Sequence, residues 1–99
     1  MFRAPFGELM TPFRDPRRKR LLYRSWHRGT READLVLGPF AEAYLGRFDP
    51  PQLERYEALL ECTDADLLDW LCGRKPPPEA YDHDVTRLFL AFPSTLFKE

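Results

Sequence analysis

The chain has 99 residues, enough for one folded domain and too few for a second hydrophobic core. Hydrophobic residues make up 43% of it and aromatic residues 14%, a composition that excludes an intrinsically disordered chain. The net charge is only −1, yet residues 1–31 carry +7 and residues 32–99 carry −8. This asymmetry suits the N-terminal third to an acidic protein surface or to phosphates.

Membrane insertion and disulfide chemistry are not expected. No apolar run approaches the roughly 20 residues of a transmembrane helix, and the N-terminus lacks the apolar stretch of a signal peptide. We therefore expect a cytoplasmic protein, or one of the mitochondrial matrix if the source is eukaryotic. Cys62 and Cys72 are too few for a disulfide framework and predict two reduced, partly buried thiols.

The first predicted helix contains the densest basic run of the chain. It should start near Pro16, because proline suits the first turn of a helix, and should continue to about Arg28. Leu22 and Trp26 lie four residues apart and form its expected inward stripe. Gly29 suits the position just past a helix C-terminus, where a left-handed backbone is usually needed.

A second helix should follow at once. Thr30 is a suitable N-cap, and Glu32 in the first turn complements the helix dipole. Apolar residues then keep helical spacing at Leu37, Phe40 or Ala41, Tyr44 and Phe48. The Gly38-Pro39 pair lies inside this segment and predicts a kink, with the helix continuing to about Gly46.

Three further helices are predicted from their caps and periodicity. Asp49 and Gln52 have the spacing of a capping box before a third helix, and Thr63 is placed to cap a fourth that Gly73 would end. Residues 83–92 have one apolar face and predict a fifth helix. No segment has the alternation of a strand. The expected fold is therefore all-α, a small bundle of four to five short helices.

The domain boundaries follow from composition. Residues 1–13 contain proline and glycine without periodicity and predict a flexible N-terminal arm, whose phenylalanines (Phe2, Phe6 and Phe13) are candidates for docking. A single helical domain should span residues 14–93, interrupted only by the stiff Pro76-Pro77-Pro78 linker. Residues 94–99 are expected to form a loose C-terminal tail.

Signals for catalysis are weak. The chain has two histidines, His27 and His83, and no HExxH or CxxC spacing. A metal site needs at least three convergent ligands, and no plausible fold brings Cys62, Cys72 and His83 together. The absence of a glycine-rich phosphate loop argues against a nucleotide-binding enzyme. Ser25 and His27 point in different directions on a helix, which argues against a nucleophilic pair.

The basic helix is compatible with three interpretations. In the first, a nucleic-acid-binding or antitoxin-like regulator clamps phosphates with its cations and nearby aromatics. The residues concerned are Arg17, Arg18, Lys19, Arg20 and Arg24, with Tyr23 and Trp26. Against it, the second helix is acidic and would repel a phosphate backbone. In the second interpretation the helix docks on an acidic protein, and in the third it is an ordinary solvated face.

The corner between the first two helices is the strongest candidate site. Arg28, Gly29 and Glu32 place a cation, a flexible backbone point and a carboxylate within five residues. Good helix punctuation would use the same residues, because arginine favours a helix C-terminus and glutamate a helix N-terminus. The corner alone therefore does not identify a function.

The corner and its flanks together resemble a known family. The segments RKRLLYRS (18–25), HRGTREADL (27–35), FAEAYL (40–45), LERYEALL (53–60) and DADLLDWL (64–71) agree with it in order and spacing. The chain resembles the succinate dehydrogenase assembly factor 2 family, the bacterial and mitochondrial flavinators of the flavoprotein subunit. The resemblance covers about residues 17–75, while Trp26 and Gly38-Pro39 look like local variation.

The resemblance implies an assembly factor that is not itself an enzyme and binds no cofactor stably. It implies binding to the flavoprotein subunit of succinate dehydrogenase, with fumarate reductase as a further candidate, and covalent attachment of FAD to a histidine of that subunit. The family's RGxxE signature maps onto Arg28, Gly29 and Glu32 as a surface patch that contacts the partner. The neighbouring partner-binding candidates are His27, Asp34 and Arg24. We expect a monomer.

Overall fold

The computed structural model describes residues 13–92 and confirms the all-α bundle, with no strand among these residues. The helices are α1 (Pro16–Trp26), α2 (Arg31–Tyr44), α3 (Pro50–Leu60), α4 (Asp64–Cys72) and α5 (Asp84–Ala91), with a short 3₁₀ turn at Glu79–Tyr81. The predictions for Phe2, Phe6, Pro93 and the C-terminal tail lie outside the described residues. Phe13 is half-buried and packs against the core.

Helix α1 begins as predicted and ends earlier. The Asp15 carboxylate accepts a 3.0 Å hydrogen bond from the backbone N–H of Arg17, and Pro16 opens the helix. The last helical residue is Trp26, so the expected end near Arg28 is wrong by about half a turn. The residue after it, His27, closes the helix through a backbone hydrogen bond to Arg24.

Helix α2 packs closely on α1 through a glycine. A Cβ built on Gly38 would lie 2.3 Å from the indole ring of Trp26, so the ring rests directly on the α2 backbone. Only glycine permits this approach. The helix runs through Pro39 and ends at Tyr44, two residues before the predicted end. The kink expected at the proline stays a prediction.

The hydrophobic core is centred on Phe40, whose side chain is fully buried. Its ring contacts five other aromatic rings at centroid distances of 4.9–6.2 Å. These rings are Tyr44, Phe48, Tyr56, Phe89 and Phe92. The cluster joins α2, α3 and α5, because aromatic rings bury large areas and pack well edge to face. The predicted burial of Leu37, Phe40, Ala41 and Phe48 is confirmed.

The predicted caps of α3 and α4 are confirmed. Asp49 and Gln52 form a reciprocal capping box, with backbone-to-side-chain bonds of 2.9 and 3.0 Å. The Thr63 hydroxyl accepts from the backbone of Asp66, and Gly73 ends α4 in the left-handed conformation with φ 79°. These caps define where α3 begins and where α4 begins and ends.

Helix α5 confirms the fifth predicted helix. Its N-cap is His83, whose Nδ1 accepts a 3.3 Å hydrogen bond from the backbone N–H of Thr86. Asp84 binds Gln52 and Arg55 of α3 at 2.9 and 3.0 Å. The side-chain hydrogen bond from Gln52 is the main reason why the pKa of Asp84 is lowered. Helix α5 is therefore attached to α3 by polar contacts as well as by the aromatic core.

Candidate functional site

Residues 27–30 form the corner that joins α1 to α2. Gly29 lies at its apex with φ +134°, a backbone conformation that residues with a side chain rarely adopt. A Cβ at this position would be 3.8 Å from the Asp64 carboxylate, which is ordinary contact distance. The corner therefore requires glycine for its backbone conformation. The positive φ agrees with the sequence-based expectation, whereas the position differs, because Gly29 lies three residues after Trp26 and not directly after the helix.

The Arg28 side chain turns inward, away from the surface on which the resemblance places it. Its Nε donates to Asp64 Oδ1 at 2.8 Å, and its two terminal nitrogens donate to the backbone carbonyls of Leu60 and Cys62. The Arg28 side chain is only 10% exposed, and that of Asp64 17%. The guanidinium thus donates its hydrogen bonds to the turn between α3 and α4. The prediction that Arg28 lies on the surface patch is wrong, because its side chain is largely inside the molecule and stabilises the corner.

Two further hydrogen bonds fix the corner. The second Asp64 oxygen accepts from the Thr30 hydroxyl at 3.0 Å, while the Thr30 oxygen caps α2 by accepting from Ala33 at 3.2 Å. The half-buried Asp34 carboxylate accepts from the backbone N–H of Arg28 at 2.6 Å. Asp34, predicted as a neighbour of the partner patch, is therefore a staple of the loop. Together these bonds leave the corner little freedom to move.

The outer side of the corner is formed by the first turns of α2. Glu32 is exposed, and within residues 13–92 its carboxylate has no hydrogen-bond or ion-pair partner. Leu35, one turn further on, is 42% exposed, which is unusual for a large apolar residue in this fold. Arg31 is exposed beside them. The corner thus presents an unpaired carboxylate and an apolar side chain on a backbone that is braced from behind.

His27 lies at the other flank of the corner and is exposed as predicted for a surface residue. Its ring stacks on that of Tyr23, with 4.0 Å between centroids and an interplanar angle of 21°. The His27 Nδ1 donates a 2.8 Å hydrogen bond to the Tyr23 carbonyl oxygen. Ser25 is buried and bonded to Tyr56, so the predicted absence of a Ser–His pair is confirmed.

Most arginines of the basic helix bind carboxylates or backbone carbonyls of the same chain. Arg17 pairs with Glu57 at 3.1 Å and Arg24, a predicted site residue, with Glu61 at 2.7 Å. Arg18 donates to the carbonyl oxygens of Leu45 and Phe48, which lie in the connection after α2. Three of the five cations that the nucleic-acid interpretation required therefore already bind acceptors within the bundle. This weakens that interpretation.

Metal and thiol chemistry find little support. Among residues 13–92 there is no cluster of three or more side chains that could hold a metal ion. Cys62 and Cys72 are free thiols, the second of them exposed and not partly buried as predicted. Burial raises the pKa of Cys62, which keeps this thiol protonated and unreactive. None of the helices in the described part of the chain is long and apolar enough to cross a membrane.

Sequence reasoning missed three residues of this site. Asp64 was named only as part of the DADLLDWL segment of the resemblance, although it bridges Arg28 and Thr30 from 36 and 34 positions away. Tyr23 was considered only as an aromatic near a basic run, and Leu35 was not singled out as a site residue. Whether Tyr23 and Leu35 are exposed depends on which faces of α1 and α2 the other helices cover. The sequence carries no direct signal for that exposure.

Comparisons with known proteins agree with the resemblance. A family model described as flavinator of succinate dehydrogenase matches residues 19–93. The FAD assembly factor SdhE of Acetobacter pasteurianus is 46% identical over 63 residues, which cover 64% of this chain and 58% of that protein. The mitochondrial succinate dehydrogenase assembly factor 2-B of Drosophila ananassae is 41% identical over 76 residues, covering 75% of this chain and 47% of that protein.

A more distant eukaryote gives a similar match. The mitochondrial succinate dehydrogenase assembly factor 2 of Dictyostelium discoideum is 38% identical over 71 residues, covering 72% of this chain and 50% of that protein. The chain thus spans about half the length of the curated relatives it matches. No solved structure gives a significant match. Because the family model covers most of the chain, and bacterial and mitochondrial members align with it, this chain belongs to the flavinator of succinate dehydrogenase family.

Proposed function

We propose that the chain is an assembly factor that binds the flavoprotein subunit of succinate dehydrogenase and promotes covalent attachment of FAD to it. The observation that carries the proposal is the corner itself. Gly29 and Glu32 face outward while Arg28, Thr30 and Asp64 hold the loop from within. Such a pre-organised surface loses little entropy when it docks on a partner.

The proposed role is to position the partner. The new bond joins a histidine nitrogen of the flavoprotein to the methyl carbon of its flavin, replacing one N–H and one C–H bond. Both protons would be released and two electrons would be taken up by the flavin ring, which an external acceptor such as dioxygen would return to its oxidised form. Both reacting groups belong to the partner, so holding them in line is a proximity effect. We propose that the chain binds no FAD stably and is not an enzyme.

Several features support this role over general-base catalysis by the chain. Glu32 is exposed to solvent, and within residues 13–92 no hydrogen-bond partner orients its carboxylate as a base. His27 Nδ1 is engaged by the Tyr23 carbonyl. The described residues hold no cluster suited to a metal. We propose a monomer that acts in the bacterial cytoplasm or, in a eukaryote, in the mitochondrial matrix.

The test is in-gel flavin fluorescence of the cognate flavoprotein subunit, expressed in cells that lack their own flavinator. Arms with the wild-type chain, Glu32→Ala and no chain are compared. We expect covalent flavin to rise with the wild-type chain and to fall with Glu32→Ala, because the exposed carboxylate is removed from the docking surface. The matched control is Glu54→Ala, which removes another exposed glutamate, in α3 and outside the corner. Repeating the assay with the fumarate reductase flavoprotein tests the partner range.

Two outcomes would contradict the proposal. Equal flavin in all arms, with the chain verified as folded, would remove the flavinator role. Loss of flavin with Glu32→Gln, while the variant still binds the subunit with wild-type affinity, would assign proton transfer to Glu32 and replace the positioning role. Binding is measured separately by calorimetry on the purified subunit, so that docking and chemistry are distinguished.

A further inference from the structure

The outward face of α1 carries a row of exposed side chains that begins outside the corner and ends at its first residue, His27. Lys19, Tyr23 and His27 follow each other at intervals of four residues, and Arg20 lies beside them. Eight residues of helix span about 12 Å, so the row covers the outer side of more than two turns. We call these four residues the α1 ridge. It leads directly into the corner, because His27 is followed by Arg28 and Gly29.

The centre of the ridge is a held aromatic ring. Tyr23 is 63% exposed, the most exposed large hydrophobic residue among those described. Its ring is nevertheless stacked on His27 at 4.0 Å, and the His27 ring is fixed by its hydrogen bond to the Tyr23 carbonyl. A tyrosine that is both exposed and pre-ordered contributes binding area at low entropic cost. Aromatic residues of this kind are enriched among the residues that dominate binding energy at interfaces.

The N-terminal end of the ridge is basic and has no ion pair within the described part of the chain. Other arginines of the same helix are paired: Arg17 with Glu57, Arg18 with Asp15 and Arg24 with Glu61. Lys19 and Arg20 are exposed and have no ion-pair partner among residues 13–92. Among the described residues they are two of five exposed cations without an ion pair, the others being Arg14, Arg31 and Arg47, and they are the two that flank Tyr23 on α1.

We propose that the α1 ridge is a second docking surface, which binds an acidic, carboxylate-bearing segment of the flavoprotein subunit next to the corner. Tyr23 on its His27 support is the anchor, and Lys19 and Arg20 attract and orient the acidic segment. This inference rests on the proposed function and extends its surface by the length of α1. A protein partner fits better than nucleic acid, because Arg17, Arg18 and Arg24 already bind acceptors within the bundle and only two cations of the helix remain, too few to follow a phosphate backbone.

The experiment measures binding of the purified cognate flavoprotein subunit to immobilised full-length chain across a range of salt concentrations. The variants are Tyr23→Ala, Tyr23→Phe and the double variant Lys19→Glu/Arg20→Glu. The matched control is Arg74→Glu/Lys75→Glu, which makes the same charge change in an adjacent exposed pair after α4. Far-UV circular dichroism confirms that each variant is folded, and all replaced side chains lie on the surface.

We expect Tyr23→Ala to raise the Kd by about tenfold or more, mainly through faster dissociation, and Tyr23→Phe to restore binding because the ring remains. The Lys19→Glu/Arg20→Glu variant should associate about tenfold more slowly at low salt, with the difference shrinking near ~0.5 M salt as charges are screened. The Arg74→Glu/Lys75→Glu control should bind like the wild type.

Three results would overturn the inference. If Tyr23→Ala and Lys19→Glu/Arg20→Glu bind like the wild type while Glu32→Ala loses binding, the ridge is not an interface and the proposed function stands. If the control pair weakens binding as much as the ridge pair, only net charge matters. If the wild-type chain fails to bind the subunit but binds a DNA duplex through the ridge, the partner class is wrong and the proposed function falls with it.

Discussion

The Arg28 guanidinium and the Asp64 carboxylate form a 2.8 Å ion pair that connects the α1–α2 corner to the start of α4. Asp64 also receives the Thr30 hydroxyl, so one carboxylate holds both sides of the Gly29 apex. The arginine of the RGxxE segment thereby shapes the loop, while Gly29 and Glu32 are the residues that we propose contact the partner. Under this proposal, variants of Arg28 and Asp64 change mainly the stability of the fold and variants of Glu32 change mainly binding, so the two effects can be measured separately.

Replacing Arg28 by lysine should destabilise the fold by about 2 to 4 kcal/mol, because one ammonium cannot replace a planar guanidinium that binds three acceptors in a poorly exposed site. Chemical denaturation followed by circular dichroism measures the change. The control is Arg74→Lys, in a pair whose arginine is 67% exposed, and it should cost less than about 0.5 kcal/mol. An equal decrease in the free energy of unfolding for both variants would mean that the Arg28 contacts stabilise the fold no more than an exposed ion pair does.

Replacing Gly38 by alanine should destabilise the protein by about 1 to 3 kcal/mol, because the new Cβ would overlap the Trp26 indole. In a Trp26→Ala background the same change should become neutral or stabilising by up to about 1 kcal/mol, since alanine is the better helix former. The double-mutant cycle isolates this contact. A Gly38→Ala effect that is the same in both backgrounds would show that Trp26 is not the obstacle.

The buried Ser25–Tyr56 pair predicts an asymmetric response to mutation. The Ser25 hydroxyl donates its one proton to the Leu21 carbonyl at 2.7 Å, so Tyr56 must donate to Ser25 across their 2.6 Å contact. Ser25→Ala then leaves a buried phenol without an acceptor and should cost about 1 to 3 kcal/mol, whereas Tyr56→Phe should cost nearer ~1 kcal/mol. Denaturation of both variants checks the order, and the reverse order would contradict the assigned direction.

The α5 cap should make stability depend on pH. Burial lowers the pKa of His83 below its ordinary value of 6.5, because the charged ring is poorly solvated, and the cap needs neutral Nδ1 as acceptor. Below pH 6.5 the unfolded chain therefore binds more protons than the native one. The contribution of His83 to the free energy of unfolding is at its full value above pH 6.5 and decreases as the pH falls below it. The pKa of Asp84 is also lowered, so its contribution to stability is lost only as the pH falls near and below the ordinary value of 3.8.

His83→Asn keeps a capping side chain that does not titrate, so it should lose the part of the pH dependence that begins as the pH falls below 6.5. Denaturation curves of wild type and variant at pH 7.5, 6.5 and 5.5 measure the difference. Parallel pH profiles for the two proteins would show that the cap does not titrate in this range.

The local elements of this protein could be read from its sequence. Asp49 with Gln52, Thr63 and Gly73 are capping signals in which neighbouring side chains satisfy orphan backbone groups, so no distant residue is needed to recognise them. The apolar spacing through Leu37 and Phe40 likewise predicted the buried face of α2. The family resemblance rested on ordered motifs alone and the family match confirms it, while the role of the corner stays a prediction.

Only the tertiary structure decided what each residue of the corner does. Whether Arg28 faces solvent or the interior depends on the position of Asp64, which is 36 residues away and is placed by the packing of α3 and α4. The same is true of the basic helix, where contacts with distant acceptors separate the internally bound Arg17 and Arg18 from the exposed Lys19. Sequence patterns encode short-range periodicity and capping, whereas the use of a charge is set by which groups the folded chain brings within hydrogen-bond distance.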